Sequence, residues 1–498
     1  MLPEHKKRLL IILVILLAFG FYLRSYHLDY PVIGYHNWKE VHYLSEARNF
    51  AEEGFFNNGF FVPEYDYPDI LAQGDAQTGT HPDTFPLPQL IIALLFKLFW
   101  VSVPLARLVG ILAGIASIPL AYSIGSKLFK MPLWGYVLAT LATINPLFVF
   151  FSRNVQLDSI GLLLALLSTW YYLQWHETRT RKHLFLTMLF LSLATLTKYT
   201  FLIMAVPMIT SYPWKEIYSK FKENKKEFIA SLTKNHLVPS LPLILVPLWL
   251  FYEQIVLKGR LGGGIGTDFT YDFSVIFTPQ FRASMNSFIA DNYTLLGWYL
   301  ALAGIVLFLF LYSTKKEKTF LDYYLLGAFI ALPTYLIAAV NKLSGHNYHQ
   351  YPIAMFILLF ITYLAVVVGT TVKKQYKYGH IIIAGLLIGI LFTPSMTSAN
   401  RMFDTQFPGL EVAGEYIKAH SNTDEMIFFP SHQSYGVLWH ADRKGLKTPP
   451  TLELFKQGET KYNVQWLYLY QWGLALTQNK EVWPYVTNNY HLELVTFQ

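Results

Sequence analysis

Long apolar runs separated by short basic loops recur along this chain, and no other feature restricts its fold as tightly. About 20 residues of apolar helix cross the ~30 Å hydrocarbon core of a bilayer. The chain has 498 residues, of which 53% are hydrophobic and only 14% charged, so a water-soluble globule is excluded. The first run, 9–23, follows His5-Lys6-Lys7-Arg8 and precedes Arg24-Ser25-Tyr26-His27. A signal peptide would show small residues there, so a retained anchor with a cytoplasmic N-terminus is expected. The net charge of +7 resembles a nucleic-acid signal until its lysines and arginines are located. They lie between apolar runs, the positive-inside bias of a membrane protein, and no nucleic-acid partner is expected. The absence of cysteine excludes disulfides, thiolate metal sites and cysteine nucleophiles.

Basic clusters fall at 127–130, 179–182, 215–226, 315–318 and 373–377. If all face the cytoplasm, neighbouring clusters are separated by even numbers of crossings. Spans are then expected at 133–152, 158–175, 237–256, 294–313, 320–341, 350–370 and 378–394. The 184–212 stretch becomes a pair of short helices with Lys198 at the outer turn. Of the three N-terminal runs, 9–25, 88–101 and 105–126, one must not cross. The segment 89–100 is short, carries Lys97 and follows Phe85-Pro86-Leu87-Pro88, so it is expected to lie on the outer face. The total is about 11 crossings. The predicted architecture is mostly α: a polytopic membrane domain over 1–394, with a large first exterior loop at 27–104 and another loop at 258–293. An exterior α/β domain follows over 395–498, with a helix at 411–420 and strands at 426–430, 466–470 and 492–497.

Lys198, in Thr197-Lys198-Tyr199-Thr200, interrupts an apolar stretch. An ionisable residue at such depth marks a functional site by default. The first exterior loop carries Gly34-Tyr35-His36-Asn37-Trp38-Lys39-Glu40-Val41-His42-Tyr43 and ends in Thr80-His81-Pro82-Asp83. A carboxylate beside histidine is a plausible general base, here Glu40 near His42. The bland alternative is an amphipathic surface helix, and for His81 and Asp83 a turn. Asp158 could be a base or merely cap the next helix, and Arg153 could simply reach lipid phosphates. His346 and His349 suit a metal, but their spacing supplies no third ligand, and Tyr348 could stack on a sugar or only pack. The glycine-rich segment 260–266 lacks a strand-to-helix context and reads as a loop. What raises these signals is their shared outer face.

The chain resembles the GT-C fold glycosyltransferases of the protein O-mannosyltransferase and lipid A aminoarabinose transferase group. The resemblance rests on Lys39-Glu40-Val41-His42-Tyr43, His81-Pro82 with Pro86-Leu87-Pro88, and Asn145-Pro146 ahead of Ser152-Arg153 and Asp158. It extends through Thr197-Lys198-Tyr199-Thr200, His346-Asn347-Tyr348-His349-Gln350-Tyr351-Pro352 and Trp439-His440-Ala441-Asp442-Arg443-Lys444-Gly445. It implies inverting transfer from a polyprenyl-phosphate sugar donor at an exterior site. It also implies an Asp-Glu pair in the first loop whose aspartate activates the acceptor. Here Lys39 stands at the aspartate's position, leaving Glu40, Asp158 or Asp83 as the base, or an inactive chain.

The expectation is a multi-pass plasma-membrane glycosyltransferase with Glu40 and Asp158 as catalytic acids. Lys198, Arg153, His42, His81, Asp83, His346, Tyr348 and His349 are expected to bind substrate. Its partners would be the lipid-linked donor, a lipid, glycan or protein acceptor, and membrane lipids. No cofactor is fixed by sequence, and a divalent metal ion stays open. The alternatives are a lipid-linked sugar transporter or flippase, against which no inverted repeat is visible, and an inactive sugar-lipid-binding homologue.

Overall fold

The computed structural model describes residues 4–68, 79–80, 84–257 and 273–495. The first helix, α1 (Glu4–Arg24), ends in a guanidinium that is 1% exposed. Arg24 donates to the carbonyls of Ala142 and Thr143, both at 3.1 Å. Those carbonyls close the helix Pro132–Ile144, where Asn145-Pro146 interrupts the hydrogen-bond ladder. A cation at the negative end of a helix supplies the missing donors. Asn145 then caps the next helix, Pro146–Arg153, by accepting from Phe148 N at 3.1 Å. The span expected at 133–152 is thus two helices bent by 54°.

A second break falls at Lys198. The helix Arg181–Thr197 stops there, Lys198 is extended (φ −158°, ψ 115°), and a 3-10 turn, Tyr199–Met204, leads into Ala205–Thr210. Among the described residues six helices are long and apolar enough to cross a membrane, or seven with the bent pair as one span. This is fewer than the roughly 11 crossings expected from charge parity. The first run and the second half of 184–212 are shorter apolar helices, Leu10–Arg24 and Tyr199–Thr210. The expected outer-face segment is the 12-residue helix Leu87–Leu98. It buries Ile92, Ala93 and Phe96 while Leu94 and Leu98 stay 52% and 74% exposed. The last span runs on from Gly379 to Asp404 instead of ending at 394. Ser395, Ser398, Ala399 and Met402 repeat at helical spacing and are all buried, so packing carries the helix past its apolar run. The expected loop 258–293 ends in a helix, Pro279–Tyr293.

The first loop contains α2 (Asn37–Glu52), whose residues are buried at Asn37 and at every position from Glu40 to Phe50. An amphipathic surface helix is therefore corrected to a buried one. It is covered by the C-terminal domain, a three-stranded parallel sheet of β1 (Met426–Phe429), β2 (Gly445–Lys447) and β3 (Val464–Leu467) in the order β2-β1-β3. Helices Gly436–Ala441 and Leu452–Tyr462 make the crossovers that parallel strands require. The strand expected at 492–497 is absent from 492–495, where Leu492 is 81% exposed; its remaining residues lie outside the described ones. Close contact between loop and domain is possible because Gly436 has no side chain: a Cβ there would lie 2.5 Å from the Val32 carbonyl oxygen.

The membrane helices approach each other through the same device. A Cβ on Gly304, in Leu295–Thr314, would lie 2.2 Å from the Phe360 carbonyl oxygen of Tyr351–Gln375, whereas Gly385 faces open space. Gly304→Leu is expected to lower the melting temperature of the purified protein by several degrees and Gly385→Ala to leave it unchanged. Equal melting of the two variants would refute tight packing at Gly304.

Candidate active site

Asp158 is the first residue of the helix Asp158–Thr178, whose N-cap is Leu157. Its carboxylate turns to Lys198 instead of capping, with Oδ1 2.7 Å from Nζ. The ammonium keeps 12% of its side-chain surface exposed and lies 5.1 Å from the centroid of the Tyr348 ring. A lysine extended at a helix break thus meets an acid at a helix start, and the pair sits under an aromatic ring.

From Tyr348 a line of ring contacts leads outward. His346 stacks on Tyr348 with centroids 5.3 Å apart, Trp38 meets His346 at 5.2 Å, and His432 of the C-terminal domain stacks on Trp38 at 5.6 Å. Lys39 Nζ sits 4.7 Å from the Trp38 ring centroid. Asp158 and Tyr348 are buried, Trp38, Lys39 and His346 half-buried, and His432 exposed, so the line opens to solvent. His36 joins it through Asn347 Oδ1 at 3.0 Å and edge-on contacts with His346 and Tyr348. Burial, reinforced by the neighbouring His346 and Lys39, pulls the His36 imidazole down to about 3. Burial with the charge of Lys39 and the nearby His432 pulls His346 down to about 4. Both rings are neutral at pH 7, each with one donor and one acceptor nitrogen.

Glu40 occupies a separate cluster. Arg107, fully buried in the helix Val103–Leu128, grips it with Nε to Oε1 at 2.8 Å and Nη2 to Oε2 at 3.0 Å. Val155 N donates to Oε1 at 3.3 Å. The remaining Arg107 nitrogen, Nη1, donates to the carbonyls of His27, Leu28 and Tyr30. Burial alone would raise the Glu40 carboxyl, but Arg107 holds it below its usual value. Arg153 belongs here too, donating to the His27 carbonyl at 2.8 Å. His42 is held elsewhere, between Tyr67 and Glu46 Oε1, the latter at 3.0 Å. Glu46 in turn accepts from Gln89 at 2.7 Å.

No curated protein matches the chain by sequence. A family model, dolichyl-phosphate-mannose-protein mannosyltransferase, matches residues 80–242, about a third of its length. The structure is similar to the archaeal oligosaccharyltransferase AglB from Archaeoglobus fulgidus in complex with an inhibitory peptide and a dolichol-phosphate. The TM-score is 0.62 at 13% identity, over 93% of this chain and 70% of that one. It is also similar to ArnT from Cupriavidus metallidurans bound to undecaprenyl phosphate, at TM-score 0.55 and 13% identity over 92% and 89% of the two chains. A third likeness is to the arabinofuranosyltransferase AftD from Mycobacteria, at TM-score 0.51 and 12% identity, over 90% of this chain and 33% of that one. This chain has the GT-C fold.

On this GT-C scaffold five of the expected residues converge: Asp158, Lys198, His346, Tyr348 and His349, the last 4.4 Å ring-to-ring from Tyr348. Glu40, Arg153 and His42 go to the other clusters, and His81 and Asp83 lie outside the described residues. Among the described residues no three metal-ligating side chains converge, so the His346–His349 pair gains no third ligand. Sequence reasoning missed Lys39 and His36 as site members, although both lie in the motif that carried Glu40. His432 left no signal, because only domain docking brings it to Trp38.

The Glu40 carboxyl is depressed in the folded GT-C protein, so its stabilisation is present above the ordinary carboxylate range. It is lost as pH falls through the lowered value. Glu40→Gln is expected to cost about 3–5 kcal/mol at pH 7, since Arg107 is left buried without its anion. The variant's melting temperature should also fall less steeply than the parent's between pH 5 and 3. Parallel pH profiles would contradict the pairing.

Proposed function

We propose that the chain moves a sugar from a polyprenyl-phosphate-linked donor to an acceptor hydroxyl, with inversion, at the exterior face of the cell membrane. The Lys198–Asp158 contact carries the proposal. As the glycosidic bond breaks, its electron pair passes to the phosphate oxygen, whose negative charge grows. An ammonium fixed in a mostly buried site stabilises that charge more in the transition state than in the ground state. Lys198 keeps part of its side chain exposed while facing Asp158, so its positive charge can act on a phosphate that enters beside it. The acceptor oxygen forms its bond to the anomeric carbon from the opposite side, and its proton passes to the Asp158 carboxylate. Reacting atoms about 3 Å apart put the attacking and leaving oxygens roughly 5 Å apart, a span that an adjacent carboxylate and ammonium can serve from one side.

Glu40 is then a positioning residue, since both its oxygens are occupied by Arg107. The lipid nature of the donor is supported by the two similar structures that hold dolichol-phosphate and undecaprenyl phosphate. The exterior assignment is supported by the basic loops, expected to face the cytoplasm, and the first loop, the Lys198 turn and the C-terminal domain share one cluster. The acceptor is a lipid, glycan or protein hydroxyl.

Purified protein in nanodiscs, given labelled polyprenyl-phosphate hexoses and candidate acceptors, should release polyprenyl phosphate and form a product of inverted anomeric configuration. Lys198→Ala and Asp158→Asn should each lower transfer by about 100-fold or more. Either single change leaves a buried partner alone and lowers the melting temperature. The double variant Lys198→Met, Asp158→Asn should recover stability without transfer. A parent-like rate in either single variant, or a retained configuration, would defeat the proposal; lipid movement without sugar release would identify a transporter.

A further inference from the structure

The line of rings between His432 and Tyr348 is flanked by buried polar atoms without partners. His36 Nδ1, Asn37 Oδ1, His349 Nδ1 and Gln433 Oε1 make no hydrogen bond among the described residues. Native proteins pair nearly all buried polar atoms, so several orphans along one line of rings call for a ligand that pairs them. They include acceptors and neutral imidazole nitrogens; of the charged groups, Lys198 and Asp158 lie at the deep end and Lys39 sits beside Trp38. Planar rings combined with uncharged donors and acceptors suit a ring with apolar C–H faces and an equatorial fringe of hydroxyls.

The outer wall belongs to the C-terminal domain. Ser431 N donates to Ser434 Oγ at 3.2 Å and Ser434 Oγ to the Ser431 carbonyl at 2.6 Å, closing a tight turn around His432 and Gln433, and Asn37 Nδ2 donates to the Gln433 carbonyl at 3.1 Å. This turn is thereby fixed against the first residue of α2, with its His432 ring on Trp38. A domain that only covered the protein would not need an imidazole and an unpaired amide oxygen at the mouth of the site.

We infer that Trp38, His346 and His432, with Asn37, His36 and Gln433, form a sugar-ring subsite between the Lys198–Asp158 pair and solvent, and that the C-terminal domain contributes its outer wall. The inference rests on the proposed transferase reading and names where a sugar is held. The sugar could be the one carried by the donor or one on a glycan acceptor, and the chemistry of recognition is shared.

Three probes separate these cases in nanodiscs: a short-chain polyprenyl phosphate, the same lipid carrying a hexose, and a set of methyl hexosides. The parent should bind at least one sugar-bearing probe, and His432→Ala and Gln433→Ala should each weaken that binding about tenfold. Both variants should hold the bare lipid within about twofold of the parent. Loss confined to the hexose-bearing lipid assigns the ring to the donor, and loss confined to methyl hexosides assigns it to an acceptor. Parent-like binding of every sugar probe by both variants, or a parent that binds no sugar probe, overturns the subsite. Loss of bare-lipid binding in Lys198→Ala is read separately and bears on the transferase reading alone.

Discussion

A carboxylate and a guanidinium with no access to water hold the first loop against the membrane domain. Isolating either charge of the Glu40–Arg107 pair would cost several kcal/mol, and that cost is offset only when every polar atom finds a partner. Arg107 meets the condition through two bonds to Glu40 and its contacts with three loop carbonyls. The geometry therefore fixes both the start of the loop and the first turn of α2. Trp38 and Lys39, just before Glu40, are carried to the Lys198 cluster as a consequence.

The two acid–base pairs are built differently. Arginine presents a rigid planar fork that matches a carboxylate with two parallel bonds, and Arg107 is fully enclosed. Lysine is a point charge on a flexible stem, and Lys198 keeps part of its surface open beside a half-buried line of rings. The first pair is suited to holding a shape. The second places a partly exposed cation beside the rings.

Polar ties join the first loop to the C-terminal domain. Arg48 bonds Asp66 within the loop and Asp442 in the domain, the latter at 2.9 Å, and Lys444 reaches Glu64 at 2.8 Å. His440 Nε2 accepts from Val32 N at 3.2 Å, and Gly445 N donates to the Asp66 carbonyl at 2.8 Å. These ties flank a shared apolar cluster in which Val41 and Leu44 of the loop are buried with Tyr435, Val437 and Leu438 of the domain. The interface also makes the position of His432 depend on the loop that carries Trp38.

Local pattern made much of this legible. Hydropathy placed apolar helices near their observed positions, though fewer are long enough to cross than charge parity implied, and the polar turn at Lys198 coincides with a real helix break. The 410–420 helix and the first strand, periodic and bounded by turn residues, were equally readable. Asp158, Lys198 and the 346–349 segment were singled out because ionisable and histidine residues are conspicuous beside apolar runs. Tertiary structure alone decided who pairs with whom. Glu40 finds its arginine 67 residues away, Asp158 its lysine 40 residues away, and Arg48 an acid 394 residues away. Hydropathy and periodicity describe how one segment meets its solvent, while the partner of a buried charge is set by packing between segments. The same reason hid β2, only three residues long, and placed His432 over Trp38 without any mark in the sequence.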